Sequence, residues 1–329
     1  MIALQTEANT SLFDQQPPGR RALARALTLI ESTNPAHQAR ARALVDAARP
    51  RTGNAIRIGI TGVPGVGKSS FIESFGQRLL DQGRKLAILA VDPSSQQTGG
   101  SILGDKTRMA SLATDRRCFI RPSPSSGAMG GVARTTREAM LVLEAAGFDV
   151  ILVETVGVGQ SETMVADMVD LFMVLMMPGT GDELQGIKKG VLELADMIVV
   201  NKADGDLTQK AKFAARQYQN ALALVEPISA NWTVPVLLAS ALEQTGLNEI
   251  WSSIQNHRQT LTASGELQTK RQQQLLRWFK TALHDQILSQ FFTNPTIKAQ
   301  LPQIEQAILN GQTSPYAAAA SLIARTTPP

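Results

Sequence analysis

The sequence predicts an α/β fold, a mostly parallel sheet flanked by helices, with a helical extension in front and a helical arm behind. Two patterns carry that expectation. Between Ile56 and Ser240, short and almost continuously apolar runs alternate with helical stretches, as strands covered on both faces require. Outside that region the apolar residues recur every three or four positions, as on one face of a helix.

In chain order, residues 20–49 carry Leu23, Leu27 and Ile30, then Ala41, Leu44 and Val45, with a break at Asn34-Pro35, and read as two short helices. The strand runs are IRIGI (56–60), KLAILAV (85–91), FDVILVE (148–154), LFMVLMM (171–177), DMIVV (196–200) and PVLLAS (235–240). After Gly265 the strands stop, and Leu276, Phe279, Leu283, Ile287 and Phe291 mark an amphipathic helix. A second helix is expected over Pro295–Asn310, with Gly311 as its C-terminal cap, and a third from Ser314-Pro315. This tail either packs on its own domain or embraces another subunit; the pattern alone does not choose. The expected division is a helical N-terminal extension (1–50), a nucleotide-binding domain (51–262) and a helical C-terminal arm (263–329).

Composition narrows the function classes. The chain has 329 residues, 43% hydrophobic and 18% charged, which is ordinary for a globular protein with a real core. The net charge is +4, with Lys and Arg scattered and only 5% aromatic residues, so no nucleic-acid footprint is legible. One cysteine, Cys118 in the run CFI, excludes an internal disulfide and reads as a buried structural thiol. No apolar run approaches the ~20 residues of a membrane span. Glu7 and Asp14 near the start argue against a secretory signal, and RRALARALTLI (20–30) reads as a surface helix of the folded protein rather than a transit peptide. A cytoplasmic protein is expected.

The chemistry begins at GVPGVGKS, residues 62–69, which follows IRIGI and opens the helical SSFIESFGQRLL. Two glycines four residues apart, then Lys and Ser, form the phosphate-binding P-loop pattern, and the flanking strand and helix are the context it needs. The backbone of Gly62, Val63, Pro64, Gly65, Val66 and Gly67 would surround the phosphates at the positive end of the helix, with N–H donors from all but Pro64. Lys68 is the expected contact to the β- and γ-phosphates, Ser69 a Mg2+ ligand, and Ser70 a neighbour of the α-phosphate. The fold expectation sharpens to a P-loop NTPase.

Base identity is read from NKAD, 201–204, at the end of DMIVV. A carboxylate at Asp204 accepts from the ring N–H and exocyclic amino group of guanine, a donor pair that adenine lacks. Asn201 would tie this loop to the P-loop, and the Lys202 stem would cover the base. Ser240, Ala241 and Leu242, which follow the next strand, would offer a backbone N–H to the guanine carbonyl. GTP is therefore expected over ATP.

Candidates for magnesium binding and water activation are acidic. Glu154 in ETVGVGQSE stands at a strand end, with Gly157 where a backbone N–H senses the γ-phosphate. Asp92 opens DPSSQQTGG and Asp105 lies in GGSILGDKTRM; with Glu154 they form an acidic trio whose roles the sequence does not divide. PGTGDELQGIKKG (178–190) has the glycines of a conformational switch, and Lys188 either reaches the nucleotide or sits at a helix start.

The combination GVPGVGKSS, VDPSS, GDKTRM, ETVGVGQSE, PGTGDELQGIKKG and NKAD resembles the methylmalonyl-CoA mutase-associated GTPases, the MeaB/ArgK family that includes the human methylmalonic aciduria type A protein. The resemblance spans roughly residues 20 to 325 with no departure in the nucleotide motifs. It implies a homodimer formed through the C-terminal helices and slow intrinsic GTP hydrolysis that methylmalonyl-CoA mutase accelerates. It also implies a cycle that gates adenosylcobalamin delivery and protects the mutase, and a third switch over residues 177–188 in which Lys188 is functional. No residue pattern marks the partner surface.

Two other functions compete. A GTP-dependent metallochaperone needs Cys or His ligands, but Cys118 stands alone and His37, His257 and His284 are far apart in sequence. A kinase of a transport protein, the meaning of the ArgK name, usually needs adenine specificity, against which NKAD argues.

Overall fold

In the computed structural model, which describes residues 11–13, 18–91, 109–122, 129–155, 161–178 and 189–324, the chain enters through α1 (Arg20–Glu31) and α2 (Pro35–Ala48). Asn34 separates them because its side chain accepts the Ala36 N–H and Pro35 starts the next helix without needing a donor. Seven strands follow: β1 (Ile56–Gly62), β2 (Leu86–Val91), β3 (Cys118–Pro122), β4 (Val150–Thr155), β5 (Leu171–Met176), β6 (Met197–Val200) and β7 (Val236–Leu238). They form one sheet in the order β3-β2-β4-β1-β5-β6-β7, every neighbouring pair parallel.

The helices between them are α3 (Lys68–Asp81), α4 (Ala110–Thr114), α5 (Met129–Ala145), α6 (Ser161–Ala166), α7 (Lys189–Leu192), α8 (Thr208–Leu222) and α9 (Leu247–Ala263). The strand pleat divides the core by simple alternation. Ile151, Val153, Phe172, Val174, Ile198 and Val200 join the cluster shared with α1, α2, α5 and α8. Val150, Leu152, Leu171, Met173, Met197 and Val199 join the cluster shared with α3, α4 and α9. This two-sided burial is why the runs contain no polar face.

Two details depart from the sequence reading. β3 was not among the six expected strands, because only Cys118-Phe119-Ile120 is apolar before Arg121 and Pro122. It is an edge strand, where a proline is tolerated. Helix α1 is also more than a surface helix. Its Leu23, Ala26, Leu27 and Ile30 are buried, Arg20 donates to the carbonyls of Cys118 (2.7 Å) and Ala113 (3.2 Å), and Arg121 of β3 pairs with Glu31. The extension thus covers the β3 edge. Cys118 is fully buried, and burial pushes its thiol up to about 12, so it stays protonated and inert.

The chain divides into two compact units, Met1–Gln274 and Leu275–Pro329. The division falls inside α10 (Glu266–Thr293), whose first turns belong to the sheet-bearing unit. The second unit comprises the rest of α10, α11 (Pro295–Leu309) and α12 (Pro315–Ala324), with α11 and α12 in contact. Asn294 caps α11 by accepting the Thr296 N–H, and Gly311 follows it at φ 71°. Leu276, Phe279, Leu283 and Ile287 line α10 as expected, yet all four are exposed, Phe279 by 63%.

Candidate functional site

In a parallel sheet, the loops after the strands share one edge, and the ligand crevice forms there. The loop after β1 turns sharply through Gly65 (φ 80°) and Gly67 (φ 88°), left-handed backbone that side chains with a Cβ rarely adopt. Gly67 is also crowded: a Cβ there would lie 3.1 Å from the Asn201 amide nitrogen. Val66 is buried beneath the loop, Val63 is half-buried, and Pro64 and Gly65 are exposed. Lys68, Ser69 and Ser70 then form the first turn of α3, so their N–H groups stand at the positive end of that helix.

Lys68 Nζ donates to the Gly62 carbonyl at 2.7 Å. Burial pushes its ammonium below the ordinary lysine range, while the charges of Glu154 and Glu162 push back up. Glu154 is 5% exposed and stands in register with Ile60 of β1 and Ala90 of β2. This puts a buried carboxylate beside the P-loop lysine. Next to it, Thr155 donates to the Thr61 hydroxyl at 2.8 Å. Asp92, Asp105, Gly157 and Lys188 lie outside the described residues.

The loop after β6 is tied to the P-loop by side chains. Asn201, 1% exposed, donates from Nδ2 to the Val66 carbonyl (2.9 Å) and accepts from the Ala241 N–H (3.3 Å). Lys202 adopts φ 59° and donates from Nζ to the Gly65 carbonyl at 2.7 Å. Asp204 accepts from the Ser240 hydroxyl, which also accepts the Glu243 N–H at 3.0 Å. Ser240 is fully buried and paired with Thr245 through both backbone groups, while Leu242 is 85% exposed. Two sequence-distant loops therefore hold the Asp204 carboxylate in a fixed orientation.

Gly67, Ser70, Asn201, Lys202, Asp204, Ala241 and Leu242 wall one cleft of about 720 Å³. Ser69, between the lining residues Gly67 and Ser70, and Glu154, which acts on Lys68, are not themselves in the lining. The lining also includes residues that the motifs do not mark: Glu73, Ser74 and Gln77 of α3, Ser111 of α4, then Leu207 and Gln244. Ser74 donates to the Ala241 carbonyl at 2.7 Å, fixing one loop to the P-loop helix. Its position four residues after Ser70 was the available signal, since such residues share a helix face. Glu162, 2% exposed and acting on Lys68, was also missed, although it closes the ETVGVGQSE segment.

The oxygen donors Ser69 and Glu154 suit a hard cation such as Mg2+, which keeps waters and binds through few protein oxygens plus phosphate. Among the described residues there is no group of three or more His, Cys, Asp or Glu side chains able to hold a metal alone. No helix among them is long and apolar enough to cross a membrane.

A left-handed glycine loop after the central strand, a lysine-led helix and a carboxylate loop beside it define a P-loop nucleotide-binding protein. The chain belongs to the family described as methylmalonyl Co-A mutase-associated GTPase MeaB, whose profile matches residues 23–296. A Caulobacter vibrioides protein assigned as a GTPase is 55% identical over 93% of each chain. The mitochondrial methylmalonic aciduria type A homologue of Mus musculus is 46% identical over 93% of this chain and 76% of its own. The crystal structure of a LAO/AO transport system kinase is 42% identical and superposes with a TM-score of 0.75, covering 97% of this chain and 96% of that one. As a member of this family, the protein binds GTP and GDP and hydrolyses GTP.

Proposed function

We propose that this GTPase is a chaperone of adenosylcobalamin-dependent methylmalonyl-CoA mutase, using GTP binding and hydrolysis to gate cofactor loading and protect the mutase from inactivation. The observation that carries the reading is the match to the mutase-associated family across residues 23–296, which includes the whole nucleotide site. The kinship with the mammalian methylmalonic aciduria type A homologue supports it.

In this reading Lys68 holds the β- and γ-phosphates, N–H groups of residues 62–70 other than Pro64 surround them, and Asp204 reads guanine while Asn201, Lys202 and the 240–242 loop shape its pocket. Ser69 and Glu154, with Asp92 and Asp105, are the residues to hold Mg2+. When bound, Mg2+ neutralises charge on the phosphate oxygens. The buried Glu154 carboxylate beside Lys68 supports that placement. Gly157 and Lys188 are assigned to sensing the γ-phosphate and relaying it to the partner. Intrinsic turnover is then slow, and the partner completes the site. The exposed apolar face of α10 supports a homodimer through the 263–329 arm, behind the 51–262 GTPase domain and the 1–50 extension. A cytoplasmic location goes with this role.

The name of the solved relative, a transport system kinase, favours a second reading. GTP turnover measured with and without purified methylmalonyl-CoA mutase, with ATP as control, separates the two. Acceleration of GTP turnover by the mutase is expected; no acceleration refutes the chaperone reading, and phosphate transfer from ATP to a protein acceptor supports the kinase.

A further inference from the structure

We propose that Glu73, oriented by Ser111, reads the ribose hydroxyls of the bound guanine nucleotide. The inference rests on the cleft being the nucleotide site. If phosphates lie at Lys68 and Ser70 and the base at Asp204, the sugar must cross the space between them, along α3. Glu73 follows Ser70 by three residues, so it lies on the same helix face about 4.5 Å further along the axis. Ser74 turns to the other side of that face, bonding the Ala241 carbonyl at 2.7 Å beneath the base loop. Glu73 and Ser74 thus bracket the cleft floor at the height of the sugar, and both line the cleft.

The chemistry of Glu73 matches its place. Its Oε1 accepts both the Ser111 N–H (3.0 Å) and the Ser111 hydroxyl (2.7 Å). This fixes the carboxylate plane and, among the described residues, leaves the lone pairs of Oε2 for a ligand. An ionised carboxylate is an acceptor only, and the two ribose hydroxyls are the sugar's only donors. The arrangement therefore recognises a ribonucleotide and takes its deoxy counterpart less well. Glu73 is only half-buried, which keeps the discrimination modest, about tenfold rather than the far larger factors of a fully enclosed site.

The test compares GDP with 2′-deoxy-GDP and 3′-deoxy-GDP by displacement of a fluorescent guanine nucleotide. The wild-type chain is expected to bind at least one deoxy analogue about tenfold more weakly than GDP. In E73A that ratio should fall to about one, through weaker GDP binding with the analogue's affinity retained. E73M, of similar length and equal helix preference, keeps the test available if E73A loosens α4; a melting curve without nucleotide checks the fold of each. A variant that only loosened the structure would weaken all three ligands alike. Equal binding of all three ligands by the wild type, or a ratio that survives in both variants, overturns the inference. A D204N control with xanthosine diphosphate separates the two possible failures. A shift in base preference alongside an unmoved ribose ratio overturns this inference alone. An unmoved base preference overturns the cleft assignment, and the inference with it.

Discussion

Arg271, in the second turn of α10, sits under the amino edge of the sheet, and its removal should cost far more than a surface arginine. Its guanidinium donates to both Asp170 oxygens (2.8 Å each) and to the carbonyls of Gly53 (2.6 Å) and Ala55 (2.9 Å). The pair is enclosed, with side-chain exposures of 17% for Arg271 and 6% for Asp170. Arg271→Ala leaves the Asp170 carboxylate with the Arg57 N–H at 2.9 Å, and takes the Arg271 donor from two backbone carbonyls. Breaking one side of a buried pair costs about 3–5 kcal/mol, against about 0–1 for an exposed one. Urea unfolding at pH 7 in the absence of nucleotide measures the loss. The pH dependence is the sharper signature. Burial pushes the Asp170 carboxyl up, but the Arg271 hydrogen bonds and charge outweigh it and hold it below the ordinary range. Its contribution is therefore present above about pH 3.9 and lost as pH falls through the folded value. In the variant only Arg57 still opposes burial, so the stabilisation that the ionised Asp170 contributes above that window shrinks. The gap between the proteins should be widest at neutral pH and narrow towards pH 4. Adding Asp170→Asn should recover part of the loss. A gap below about 1 kcal/mol, or one flat with pH with no recovery in the double variant, refutes the reasoning.

Asp204→Asn should weaken GDP and move preference towards xanthosine nucleotides, checked by competition binding; unchanged preference means that Asp204 does not read the base. His257 is 2% exposed, and burial pushes its imidazole below the ordinary value against the pull of Asp196, so it folds neutral. Stability should then fall as pH drops below about 6.5, by up to ~1.4 kcal/mol per pH unit until the folded value is reached, and His257→Phe should flatten that limb of a urea-stability profile. Gly246 has φ 76° and a Cβ there would meet the Leu238 carbonyl oxygen at 2.1 Å, so Gly246→Ala should destabilise by at least about 2–3 kcal/mol in the same assay. Truncation after Gln274, which retains the α10 root, should leave a folded monomer by sedimentation if the exposed α10 face is a dimer contact; a persistent dimer rejects that role for the arm.

The parts of the molecule legible in the sequence are those whose cause is local. Nearly continuous apolar runs announced six parallel strands, five of them buried and the edge strand β7 half-buried, and Asn34-Pro35 announced a helix break, because pleat, cap and fixed φ act within a few residues. The P-loop and NKAD were legible because glycine, lysine and carboxylate at fixed spacing have few other uses. What stayed hidden depends on distant partners. Ser74, Glu73 and Ser111 look like ordinary helix-surface residues until α4 and the 240–242 loop are brought to them. β3 was hidden for a related reason: an edge strand with a three-residue apolar run gives little periodicity, and it is held by distant partners, the β2 ladder and Arg20 and Glu31 of α1.

The root of α10 was the deepest miss, and it revises how the C-terminal arm is to be cut and tested. ELQTKRQQQ has a single apolar residue and no motif, yet Lys270 donates to Asp196 (3.0 Å) and to the Asp170 carbonyl (2.8 Å), and Gln274 donates to the Val169 carbonyl (2.8 Å). Asp170 and Asp196 immediately precede β5 and β6, and each also accepts a backbone N–H from the sheet: Arg57 to Asp170 and Phe172 to Asp196. A truncation at about residue 265, where the strand pattern ends, would strip both carboxylates of their cations. The sheet would be destabilised by the charges left behind, and loss of a dimer would say nothing about the arm. Cutting after Gln274 keeps those charges paired, so a monomer obtained there reports on the 275–329 arm rather than on a damaged sheet.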